Sequence, residues 1–170
     1  MDPASVRMPR IKSRSVSLPG QTNGSSATTL MAALEFYRQD PVAYVEDIVF
    51  RRVTDRPRLD SSGQLVAVLP FQADVLNAIA EYPRIALRAG NGMGKDALTA
   101  WAIEWYLITH SRAKVPVVSP TSRQVRRTIF AEVSMWARES LAFPKLELLI
   151  TGELRHRAAP MEWWALGFAP

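Results

Sequence analysis

The fold is decided by the stretch Ile85-Ala86-Leu87-Arg88-Ala89-Gly90-Asn91-Gly92-Met93-Gly94-Lys95-Asp96. Its first three apolar residues read as a short buried strand. A glycine-rich turn follows, and residues 97–109 after it have strongly helical composition. A strand, a glycine turn and a helix that starts at a lysine hold phosphates chiefly with backbone. The N–H groups of the loop and of the helix start have no partner of their own, and they carry partial positive charge. Glycines let the chain curl closely around an anion. The lysine adds a point charge at the β- and γ-phosphates. Gly90, Asn91, Gly92, Met93, Gly94, Lys95 and Asp96 are therefore the candidate nucleotide site, with ATP the expected cofactor.

The pattern G-x-x-x-x-G-K-[ST] asks for glycine at 89 and a hydroxyl at 96. The chain has Ala89 and Asp96. The hydroxyl ordinarily ligates magnesium, and a carboxylate also suits that oxygen-loving ion. Asp96 is thus a candidate magnesium ligand. It also adds negative charge close to phosphates, so metal-free nucleotide should bind poorly. A plainer reading makes this a glycine-rich turn with Asp96 capping the helix.

Upstream, Pro70 opens a candidate helix to Glu81 with Phe71, Val75, Leu76 and Ile79 on one face, and Tyr82-Pro83 breaks it. Residues 65–69 read as extended and residues 54–63 as loop. Asp40-Pro41 reads as an N-cap with proline at the first helical position. The helix behind it carries Val42, Val45, Ile48 and Val49 on one face. Another helix runs from Thr28 or Thr29 to Arg38. Residues 1–27 read as a disordered basic tail, with Arg7, Arg10, Lys12 and Arg14 against Asp2. Such a tail suits DNA phosphates, and it faintly resembles a transit peptide.

Downstream, Val115, Val117 and Val118 make a strand. Pro120 and Thr121 lead into a long helix ending near Ser140, with Val125, Ile129, Val133 and Trp136 as its apolar face. Residues 147–150 and 163–168 are further strand candidates, flanking a loop at 152–160. Trp101 and Trp105, four apart, belong in the core. The order predicts an α/β layered fold of P-loop type, with a mostly parallel sheet flanked by helices and incomplete at the C-terminus.

Composition excludes several classes. Of the 170 residues, 48% are hydrophobic and 22% charged, which supplies a core. The net charge of +5 suits a nucleic-acid partner without requiring one. With no cysteine, disulfides and thiolate chemistry are excluded. His110 and His156 stand in no zinc-ligand spacing. No apolar run approaches a membrane span, so a soluble intracellular protein without a membrane partner is expected.

Pro70-Phe71-Gln72, the stretch 85–96, and Val117-Val118-Ser119-Pro120-Thr121-Ser122-Arg123-Gln124-Val125 occur in the order seen in large terminase subunits, the ATPases that drive DNA packaging in tailed bacteriophages. Trp163-Trp164-Ala165-Leu166-Gly167-Phe168-Ala169-Pro170 is similar to the strand before their second nucleotide motif. The resemblance covers roughly residues 31–170. It implies that residues 28–170 are the N-terminal part of a P-loop ATPase domain, which in the full-length family couples ATP hydrolysis to DNA translocation. It implies double-stranded DNA, a small terminase subunit and a portal as partners, a ring homo-oligomer when full length, and the cytoplasm of a bacterial host. Gln72 matches the glutamine that reads the adenine edge, and an amide both donates and accepts there. As a residue on a helix it also reads as simply solvated. Thr121, Arg123 and Gln124 match a motif beside the DNA-facing surface. T-x-x-Q equally reads as a capping box. Arg123, Arg126, Arg127 and Arg138 suit phosphates or a solvated face paired with Glu132 and Glu139.

An ATPase of this kind also needs an apolar strand ending in Asp-Glu, for the magnesium shell and the attacking water. No such pair is read between Lys95 and Pro170, and no nuclease domain is expected within these residues. Three expectations stay open: part of a terminase large subunit, a non-catalytic nucleotide- or DNA-binding module, and a truncated helicase-like ATPase.

Overall fold

The computed structural model describes residues 26–50 and 68–169. The expected tail therefore lies almost wholly outside the described residues. So do the loop at 54–63 and most of the extended stretch 65–69.

Helix α1 spans Ser26–Gln39. Asp40 then caps α2, Pro41–Tyr44, its carboxylate accepting from the Ala43 N–H at 2.9 Å, with Pro41 at the first helical position. That is the cap read from Asp40-Pro41. The helical path continues through a π-turn, Val45–Val49, which buries Val45 and Val49. Helix α3, Pro70–Glu81, ends where Tyr82 takes an extended conformation before Pro83. Helix α4, Lys95–Thr109, is the hub: it packs against α1, α3, a later helix and the sheet. Trp101 and Trp105 on α4 are buried as the spacing predicts. Trp101 meets Phe50 and Trp136 edge-on, each with ring centres 5.2 Å apart.

Strand β1, Lys114–Val118, is followed by one helical path of three pieces: α5 (Ser122–Gln124), a π-turn (Val125–Ile129) and α6 (Phe130–Glu139). A 3-10 turn, Phe143–Lys145, leads into β2, Leu146–Leu149. Strands β3, Glu153–His156, and β4, Trp164–Phe168, complete a four-stranded sheet in the order β1-β4-β3-β2. The molecule is thus mixed α/β, with helices flanking the sheet.

Three expectations need correction. The sheet is mixed rather than mostly parallel: β1 and β4 pair in parallel, whereas β2–β3 and β3–β4 pair antiparallel. The span expected to be a loop contains β3. Gly152, at φ +86°, closes a tight turn between β2 and β3 and so makes a hairpin, where parallel strands would need a long crossover. Finally, Ile85, Ala86 and Leu87 form no strand. Ile85 and Leu87 are 43% and 45% exposed, because no described strand runs beside them to take their hydrogen bonds.

The π-turn at Val125–Ile129 seats the helical path on the sheet. Val125 and Phe130, five residues apart, both lie over Gly167 of β4. Five-residue spacing aligns such a pair in a π-turn, where an α-helix would align four. The expected apolar face holds, with Val125, Val133 and Trp136 buried, and Phe130 and Ala137 join it.

Candidate nucleotide site

The loop from Gly90 to Asp96 leads into α4. Gly92 and Gly94 both take the left-handed conformation, at φ +76° and +75°, which side chains other than glycine adopt reluctantly. The two turns aim the chain into the helix. Gly94 is the residue that caps α4, and no side chain caps it in addition. The first intrahelical bond runs from the Leu98 N–H to the Gly94 carbonyl at 2.9 Å. The amides just inside the helix start are therefore placed to meet an anion. Lys95 folds back so that Nζ donates to the Gly90 carbonyl at 3.5 Å, across the mouth of the loop. Thr99 Oγ1 donates to the Lys95 carbonyl at 2.8 Å and steadies the first turn. Asn91, Gly92 and Met93 are exposed, so the loop is open to a ligand.

Gln72 is brought to this loop. It is 5% exposed, and its Oε1 accepts from the Leu69 N–H at 3.0 Å, closing the start of α3. Its Nε2 lies so close to Gly94 that a Cβ there would sit 2.9 Å away. In place of a flanking strand, the N-terminus of α3 buttresses the loop. The amide oxygen keeps a second lone pair.

Asp96 occupies the first turn of α4, where its charge is compatible with the helix dipole. Among the described residues no group of three or more histidine, aspartate or glutamate side chains is arranged to hold a metal. A magnesium ion at Asp96 would have to be completed by phosphate and water oxygens, as that ion commonly is.

Thr121, Arg123 and Gln124 lie elsewhere. Thr121 is the N-cap of α5 and accepts from the Gln124 N–H at 3.2 Å, the capping role read from T-x-x-Q. Among the described residues no hydrogen bond or ion pair joins the three to the loop. Arg123, Arg126 and Arg127 are exposed and make no ion pair with a described acid. Glu132 accepts from Trp136 Nε1 at 3.0 Å instead.

One buried group lies outside the expected site. Glu104, on the inner face of α4, is 1% exposed. Tyr44 Oη and Ser140 Oγ both donate to its Oε1, while its Oε2 is buried with no partner. Burial pushes its pKa up to about 7, against the lowering effect of those two bonds. The signal in the sequence was a glutamate between Trp101, Trp105 and Ile108 on an apolar helix face.

Among the described residues no helix is long and apolar enough to cross a membrane. The chain matches no family model, no curated protein and no solved structure.

Proposed function

We propose that the chain is the ATP-binding part of a DNA-packaging ATPase of the terminase large-subunit type. One observation carries the reading. Two left-handed glycines, Gly92 and Gly94, deliver the chain into α4 at a start that no side chain caps, with Lys95 turned back over the loop. In this reading backbone amides, helix dipole and ammonium act together on a bound phosphate. The terminase assignment rests on the sequence resemblance, as do the P-loop ATPase family of the fold, double-stranded DNA, the small subunit, the portal, the ring assembly and the bacterial cytoplasm. In this reading Gln72 stands ready beside Gly94 for the adenine edge, and Asp96 replaces the usual hydroxyl at magnesium. The exposed Arg123, Arg126 and Arg127, which have no ion-pair partner among the described residues, supply charge for DNA phosphates, with Thr121 and Gln124 next to them.

A second reading is a nucleotide-binding module without hydrolysis. It is favoured by a specific observation: the late acid Glu153 is buried and held by Arg155 at 2.6 and 2.9 Å. That carboxylate is occupied, so it is a poor activator of water. Calorimetry tests the shared core of both readings. Magnesium–ATP should bind the full chain and fail to bind Lys95→Ala; unchanged affinity in the variant would end the phosphate-loop assignment. Steady-state hydrolysis should stay near background for either reading; a turnover that is lost in Lys95→Ala would rule out the module and favour the ATPase.

A further inference from the structure

A cleft of about 720 Å³ opens between the C-terminal ends of α1, α3 and α4, within the size range of small-ligand sites. It lies at the other end of α4 from the phosphate loop, roughly 22 Å along a fifteen-residue helix. Nothing in the nucleotide reading uses it.

Its walls have a consistent chemistry. Tyr82 and Tyr106 present exposed rings, at 55% and 40%. Tyr106 is stacked on His110, ring centres 3.9 Å apart and 15° from parallel, so one face is fixed in place. Trp105 behind it is held by a bond from Nε1 to the Tyr37 carbonyl at 2.7 Å. Among the described residues the charged side chains lining the cleft are two acids and one base. Glu35 and Glu81 line it with Arg38, and Arg38 is within 3.9 Å of Glu35. Glu81 has no ion-pair partner among the described residues. Burial, then Arg38, depress the His110 pKa below its ordinary value, which favours the neutral ring. Residues at the ends of three helices border the space, and their last carbonyls carry partial negative charge. Asn77 also lines the space, and its amide can accept as well as donate.

We propose that this cleft binds an organic cation, specifically a guanidinium group on a short alkyl chain. A carboxylate, an amide oxygen and helix-end carbonyls are acceptors, and a guanidinium brings five donors to them. The flat cation stacks on a tyrosine face, which an ammonium does less well. An anion such as a phosphate meets the wrong charge. The guanidinium comes either from a free small molecule or from an arginine side chain of a polypeptide.

Nuclear magnetic resonance titration of the full chain tests this, following the amides of residues 77–83 and 105–110. Agmatine represents the free source and N-acetyl-arginine N-methylamide the side chain. N-acetyl-citrulline N-methylamide is the neutral isostere. Saturable shifts at these residues with either guanidinium probe, and none with citrulline, support the site, and the tighter probe names the source. Glu81→Lys should abolish binding, and Tyr106→Ala should weaken it about two- to fivefold. Both positions are exposed, and lysine at a helix C-terminus is compatible with the dipole, so both variants fold. Lys95→Ala should leave this affinity unchanged, which separates the cleft from the nucleotide site. Shifts of equal size with citrulline, or no saturation with either guanidinium, overturn the proposal.

Discussion

Val125 of the π-turn occupies the space that a side chain on Gly167 of β4 would need. A Cβ built on Gly167 would lie 1.9 Å from Val125 Cγ1 and 3.1 Å from Phe130 Cε2. Val125 is 2% exposed and branched at Cβ, so it has no free rotamer to turn into. Gly167→Ala should therefore destabilise the fold by about 1–3 kcal/mol through overpacking. Val125→Ala opens a cavity on its own. Combined with Gly167→Ala it should cost less than the sum of the single changes, because the smaller alanine at position 125 relieves the clash and the added methyl fills part of the cavity. Urea unfolding of the four proteins in the cycle measures the coupling; strict additivity would show that the contact is not tight.

Gly94 faces two constraints at once. Its backbone is left-handed, and a Cβ would meet Gln72 Nε2 at 2.9 Å. Gly94→Ala should cost about 1–2 kcal/mol from the backbone conformation, and magnesium–ATP affinity should fall with it. Gln72→Ala added to Gly94→Ala relieves the contact but not the backbone strain, so only part of the stability should return. Thermal unfolding and calorimetry on the single and double variants check this.

Glu104 makes stability depend on pH with a definite sign. Its carboxyl is raised from about 4.5 in the unfolded chain to about 7 in the folded protein. The folded state therefore holds the proton more tightly than the unfolded one. The contribution is fully present below pH 4.5 and is lost as the pH rises through 7. The loss is on the order of 3 kcal/mol. The groups facing this carboxyl are the hydroxyls of Tyr44 and Ser140, and burial raises the Tyr44 pKa as well. Glu104→Gln should flatten the dependence between pH 5 and 8 and stabilise the protein at the alkaline end. Urea midpoints across that range, compared between the two proteins, are the measurement.

Asp40 closes the α1–α2 corner by accepting from the Ala43 N–H. Asp40→Ala should cost about 1 kcal/mol, the usual value of an N-cap, and Asp40→Asn should cost much less. Chemical denaturation of the two variants distinguishes a cap from a merely solvated carboxylate, for which both would be neutral.

Local chemistry decided much of this protein. Pro70, Tyr82-Pro83 and Asp40-Pro41 mark helix ends because each acts on its own neighbours, and the structure places the ends there. Gly92 and Gly94 turn left-handed because they lack a Cβ, and Lys95 starts α4 directly after them. Trp101, Trp105, Val133 and Trp136 are buried because helical spacing puts them on inner faces. The candidate phosphate loop was thus legible as a contiguous stretch.

Tertiary structure decided what depends on distant partners. A strand exists only where another strand takes its hydrogen bonds. So the largely polar Glu153–His156 became β3, within reach of β2 and β4, while the more apolar Ile85, Ala86 and Leu87 pair with no described strand. Strand direction followed from the tight turn at Gly152, which the residue pattern alone left open. The approach of Gln72 to Gly94, the sharing of Glu104 between Tyr44 and Ser140, and the fit of Val125 onto Gly167 join residues 22, 60, 36 and 42 positions apart. Periodicity assigns a residue to a face of its own element; only the packing of elements determines which atoms meet across them.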